Sequence, residues 1–100
     1  MVVDVLSLVP HCYTYEDGEQ VADVVRPALR AGKDIALSFR GVRGVPSSFV
    51  NAAFVSLLDE FPAMTVRRHV RVVNSSSQIN TMIRDRMTAE AARLNELTPA

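Results

Sequence analysis

The sequence predicts a small α/β domain in β-α-β-α-β-α order, with a three- to four-stranded, mostly parallel sheet and helices packed on it. Three observations predict it. Short runs rich in β-branched residues fall at 2–8, 35–39 and 65–73. Between and after them, apolar residues recur every three to four positions, the period of one helix face. Strands that alternate with helices are joined by right-handed crossovers and pair in parallel. A chain of 100 residues fits one domain, 1–100, with positions 97–100 expected to fray.

Val2-Val3-Asp4-Val5-Leu6-Ser7-Leu8 reads as the first strand, stopped by Pro10. The polar stretch from His11 to Gly18 leads into a helix with Asp17 as N-cap and Gln20 as its box partner. Val21, Val24, Val25, Ala28 and Leu29 form its apolar stripe. Pro27 deletes the bond to the Asp23 carbonyl, which predicts a kink or a restart, and Gly32 supplies a left-handed stop. Ile35 to Phe39 is almost wholly apolar, as in a central strand covered on both faces. Ser47 or Ser48 caps the next helix after Pro46; Phe49, Ala52, Ala53, Phe54, Leu57, Leu58 and Phe61 mark its buried face, and Pro62 ends it. Thr65 to Val73 reads as an edge strand, with Val66, Val70 and Val72 on one side and Arg67, His69 and Arg71 on the other. The last helix has Ser75 as cap, Gln78 as box partner, and Ile79, Met82, Ile83, Met87, Ala91 and Leu94 as its stripe. A fourth, short strand within 11–16 would thicken the sheet. Phe39, Phe49, Phe54, Leu57, Ile79 and Ile83 are expected in one core.

Composition narrows the function classes. Hydrophobic residues make up 48%, ordinary for a globular chain, and no apolar stretch approaches the roughly 18 residues of a spanning helix. The start, MVVDVLSLV, carries Asp4 and no preceding base, so it does not read as a secretory signal. Cys12 is the single cysteine, which rules out an intrachain disulfide and suits a reducing, cytoplasmic setting. Eleven basic and eleven acidic residues cancel but are segregated: positions 1–25 hold five acids and no Lys or Arg, whereas Arg26, Arg30, Lys33, Arg40 and Arg43 follow against Asp34 alone. With no net charge, long-range attraction to nucleic acid is weak unless the bases converge on one face.

The most informative stretch is Ser38-Phe39-Arg40-Gly41-Val42 followed by Val45-Pro46-Ser47-Ser48-Phe49, a strand, a glycine-valine turn and a helix that opens on serines. It resembles the STAS family, and more closely the STAS-like domains of unknown function, over about Tyr15 to Ala92. The resemblance implies a non-catalytic regulatory or scaffold module that binds protein partners. In the anti-sigma antagonist branch the first serine of this helix is phosphorylated, which would fall on Ser47 here. A phosphate at a helix start adds up to about two negative charges beside free N–H groups. The sequence departs from the family pattern at several points. Pro46 stands for the usual aspartate, Phe49 for the glycine, Ser38 for the strand aspartate and Asn51-Ala52 for acidic residues, so roles that need those carboxylates do not transfer. The plainer reading of Ser47 and Ser48 is that they cap the helix.

Other constellations are sparse. Gly41 and Gly44 match neither a Walker A loop nor a dinucleotide fingerprint and are better read as turn glycines. His11 and His69 are the only histidines, and neither sits in a C-x-x-C, H-x-x-x-H or carboxylate-paired pattern, so no enzyme, metal or cofactor is expected. Arg67, Arg68 and Arg71 form a candidate basic face on the third strand, and the nucleic-acid alternative rests on them; no aromatic is interleaved to stack bases. The helix from Ser48 to Phe61 is apolar over too wide an arc for one core face. Val50 and Val55 are therefore expected at or beyond its margin, forming with Arg43 a surface for a protein partner or a second copy.

Overall fold

A computed structural model of the chain describes residues 1–97; the fraying expected at 97–100 falls, beyond Leu97, outside the described residues. The elements are β1 (Val2–Asp4), α1 (Val5–Leu8), α2 (Tyr15–Arg30), β2 (Ile35–Ser38), α3 (Ser47–Ala53), a 3-10 segment (Val55–Asp59), α4 (Ala63–His69), β3 (Val70–Val73) and α5 (Ser77–Leu97). The three strands form one parallel sheet with β2 in the middle, as the alternating order requires.

Register explains which side chains enter the core. Val3, Leu37 and Val72 are paired neighbours, as are Ile35 and Val70, so these five share one face of the pleat. Ile35 and Leu37 on that face are fully buried. The other face carries exposed Val2 and Arg71 around half-buried Ala36. The apolar side chains of β2 are therefore packed into the core from one side; of the two residues that point the other way, Ala36 is half-buried and only Ser38, at the end of the strand, is buried.

Phe39, Phe49, Phe54, Leu57 and Ile79 share the core, with the Phe39 ring edge-on to Phe49 and offset-stacked on Phe54, both at 6.3 Å between centroids. Ile83, expected beside them, is half-buried. The most extensive helix pairing is α2 on α3, and Gly18 makes it possible. A Cβ there would lie 2.4 Å from the Phe49 carbonyl oxygen and 2.7 Å from the Ala52 Cβ.

Several boundaries differ from the sequence expectations, each for a local reason. The first strand stops at Asp4 because β2 offers no partner beyond Ser38; the chain turns, Val5 enters the core, and Ser7 Oγ donates to the Asp4 carbonyl. Among the described residues there is no strand within 11–16, since Tyr15 already opens α2. The cap of α2 is Thr14, not Asp17: the Thr14 hydroxyl accepts from the Asp17 amide while the Asp17 carboxylate takes the Thr14 amide, a reciprocal capping box. Pro27 lies in the last turn, where one missing bond leaves only the carbonyl of exposed Asp23, and α2 runs through it unbroken. Gly32 ends the helix with φ +68° as predicted.

The single helix expected over 48–61 is two pieces. The Ser56 hydroxyl donates to the Ala52 carbonyl at 2.6 Å, and the backbone tightens past Phe54 into the 3-10 segment. The strand expected over 65–73 is strand only from Val70; Ala63–His69 is α4, opened by Pro62 at its N-cap. Val66 and Val70 stand four apart, a spacing that fits both a strand face and a helix face, and the apparent alternation was misleading for that reason. The cap of α5 is Ser76, whose hydroxyl accepts from the Ile79 amide, rather than Ser75.

Candidate functional site

In open parallel sheets the surface beyond the carboxyl ends of the strands is where loops converge and ligands bind. Here that end is built by the segment leaving β2. Ser38 is buried, and its hydroxyl oxygen accepts from Asn74 Nδ2 at 3.0 Å, which ties the ends of β2 and β3 together. The Phe39 amide donates to the Val73 carbonyl, the Val42 amide returns to the Phe39 carbonyl, and Gly41 makes the turn with φ +87°. The loop is then hooked to the start of α5. Gln78 accepts from the Val45 amide at 2.9 Å and donates to the Val45 carbonyl at 3.1 Å, and Ser76 donates to the Arg43 carbonyl. Gln78 is thus not a cap partner; it serves as the loop's anchor.

This framework sets the positions of the candidate residues. Arg43 is exposed, with no hydrogen-bond or ion-pair partner for its side chain among the described residues, and the same holds for Arg40. Ser47 and Ser48 are exposed, and neither is a cap: Pro46 holds that position, and no side-chain hydrogen bond closes the start of α3. The Ser48 hydroxyl donates to the Tyr13 carbonyl at 3.5 Å, while the Ser47 hydroxyl has no partner among the described residues. The plain capping role is therefore removed from both serines.

Facing the loop is a cleft of about 430 Å³ lined by Leu6, His11, Tyr13, Gly41, Val42 and Arg43, among others. His11 Nδ1 lies 2.8 Å from Asp17 Oδ2, and the Tyr13 ring stacks on the imidazole at 4.9 Å with 14° between planes. Burial would raise the Asp17 carboxyl, but the amides of Thr14 and Tyr13, with His11, outweigh it and hold it below the ordinary carboxylate value. Burial, helped by the Asp17 charge, pushes the Cys12 thiol up to about 11. The thiol is thus protonated at neutral pH and poorly suited to nucleophilic work. Among the described residues no group of three or more His, Cys, Asp or Glu could hold a metal ion. The His11–Asp17 pairing escaped the sequence reading. Its only signal was an aspartate six residues past a histidine, and that spacing points to no regular element.

The other expected sites are dispersed. Val50 is fully buried, because α3 packs against α2 on one side and α5 on another, so it offers nothing to a partner. Val55 is half-buried at the margin of the core. Arg67 and Arg68 sit on α4 and Arg71 on the open face of the sheet, so the three do not form one strand face. His69, expected beside them, pairs with Asp34 at 2.7 Å. No single helix among the described residues is long and apolar enough to cross a membrane.

Fold and site together define a small parallel α/β module whose distinctive part is the anchored turn between β2 and α3. The chain belongs to the family of STAS-like domains of unknown function, whose sequence model matches residues 17–80, from the first turn of α2 to the first turn of α5. Comparison with curated proteins and with solved structures gave no match.

Proposed function

We propose that this chain is a non-enzymatic regulatory module that works in the cytoplasm and binds a protein partner through the carboxyl end of its sheet. The observation that carries the reading is the side-chain set on the anchored loop and the segment facing it. Tyr13, Tyr15 and Leu6 are exposed, at 66%, 49% and 39%, and Arg40 and Arg43 have no partner among the described residues. Tyrosine and arginine are the residues that dominate protein interfaces, and a loop already fixed by hydrogen bonds loses little entropy when it docks. The Ser47 hydroxyl has no partner among the described residues, and a phosphate there, at about two negative charges, would neutralise the positive charge that Arg40 and Arg43 bring to this loop. A protonated, buried Cys12 supports a binding role over covalent chemistry.

The test is a pull-down from cells of the native host with wild type, Tyr13→Ala, Arg43→Glu and the exposed α2 control Glu19→Ala. A protein retained by wild type and the control but lost from both site variants supports the reading. Equal retention by all four refutes it. Light scattering at tens of micromolar decides whether the partner is a second copy, and Ser47→Asp should abolish whichever binding is found. The alternative through Arg67, Arg68 and Arg71 predicts salt-sensitive binding to duplex or single strands; none is expected even at about 50 mM salt.

A further inference from the structure

Away from that surface, a second and larger groove of about 500 Å³ opens between α5 and the edge formed by α4 and β3. Its volume falls within the roughly 300–1,000 Å³ of small-molecule sites. Phe54, Val66, Val70, Val72, Ile83 and Met87 make its apolar wall, with Phe54 and Val66 at its floor only 2% and 3% exposed. Its lining includes two cations, Arg67 and Arg84, and, among the described residues, no acid. Arg67 has no hydrogen-bond or ion-pair partner among the described residues. Arg84 comes only within 3.9 Å of Asp85, with both side chains about 70% exposed, so that pairing is weak. Asn80 and Thr88 are the remaining polar groups.

We infer that this groove binds a small anionic amphiphile, an apolar chain or ring system carrying one carboxylate or phosphate. The apolar body would lie along Val70, Val72, Ile83 and Met87 and withdraw them from water, and the head group would take the two guanidinium groups, which form strong charge-assisted bonds to planar carboxylates and to phosphates. The distribution of charge selects this occupant. A neutral apolar molecule would leave both arginines unused, and a cation would be repelled by them. The site is independent of the partner surface proposed above.

The probes are decanoate, decyl phosphate, decanol and decylammonium, each below its micelle concentration, titrated into the full chain by calorimetry and by amide chemical shifts. One saturable site is expected for decanoate or decyl phosphate, with shifts centred on Val70, Val72, Ile83 and Met87. Decanol should bind at least tenfold more weakly and decylammonium not at all. The relative strength of the two anions tells carboxylate from phosphate as the preferred head group. Arg67→Gln with Arg84→Gln should reduce decanoate affinity at least tenfold while leaving decanol binding and the unliganded melting temperature unchanged, since both arginines are exposed. Equal binding of all four probes, shifts elsewhere on the chain, an unchanged affinity in the double variant, or no binding at millimolar probe would each overturn the inference. So would a dimer in which this groove is the interface.

Discussion

Replacing Gly18 by alanine should destabilise the domain, against the usual sign of that change in a helix. Gly18 lies inside α2, where alanine is favoured by about 0.5–1 kcal/mol through backbone entropy alone. The added Cβ, however, would meet the Phe49 carbonyl oxygen at 2.4 Å, the Ala52 Cβ at 2.7 Å and the Ala53 nitrogen at 3.0 Å. Two of these three atoms are backbone, and the third is a methyl with no rotamer to change, so relief requires α2 and α3 to part by about 1 Å to restore ordinary contact. A gap of about that size forfeits a quarter to a half of the dispersion energy of the atoms it separates. The separated atoms include those of Val21, Ala22, Phe49 and Ala53, all fully buried. Overpacking of this kind costs about 1–3 kcal/mol, which exceeds the helix-propensity gain. The net loss should be about 1–2 kcal/mol, read as a lower urea midpoint at unchanged slope. Glu19→Ala, one residue on and exposed, should be near neutral. A Gly18→Ala variant as stable as wild type would refute the close-approach argument.

Phe54→Ala should cost about 3–5 kcal/mol, because the ring is buried against Phe39 and its removal leaves a cavity; urea denaturation measures it. Asp17→Asn should cost about 1–3 kcal/mol at neutral pH by weakening the capping box and the contacts to His11 and Tyr13. Since the Asp17 carboxyl is held below its ordinary 3.8 in the fold, its contribution is complete above that value and is lost as pH falls below it. Wild type and variant should therefore converge in stability as pH is lowered below 3.8 in an acid-unfolding series, and a constant gap would contradict the assignment. Gln78→Ala should leave the Val45 amide and carbonyl unpaired at a buried site, costing about 1–3 kcal/mol. Hydrogen exchange at the Val45 amide should quicken well beyond the change in global stability.

The α/β class, the parallel sheet with β2 at its centre, most of the core and the family resemblance were legible in the sequence, whereas α1 and α4 were not. Periodicity and turn residues report how each segment divides between water and an apolar interior, and that division is local. Ile35-Ala36-Leu37 announced a strand, Gly32 a helix stop, and the Ser38–Val42 and Val45–Phe49 pair the turn that the family shares. What the tertiary structure decided were matters of partnership. Val66 and Val70 suit a strand or a helix equally, and only their position after Pro62 and beside β2 made the first a helix residue and the second a strand residue. Ser76, Gln78, Asp17 and Ser56 could each have capped, paired or faced water. Their hydrogen bonds were fixed by which backbone groups the folded chain brought within 3.3 Å, among them Val45 33 residues from Gln78. Val50, apolar in any reading, was assigned to the core by α2 and α5 closing on both sides of α3. A short polar side chain or a valine carries no record of its distant neighbours, so these choices belong to the fold and not to the segment.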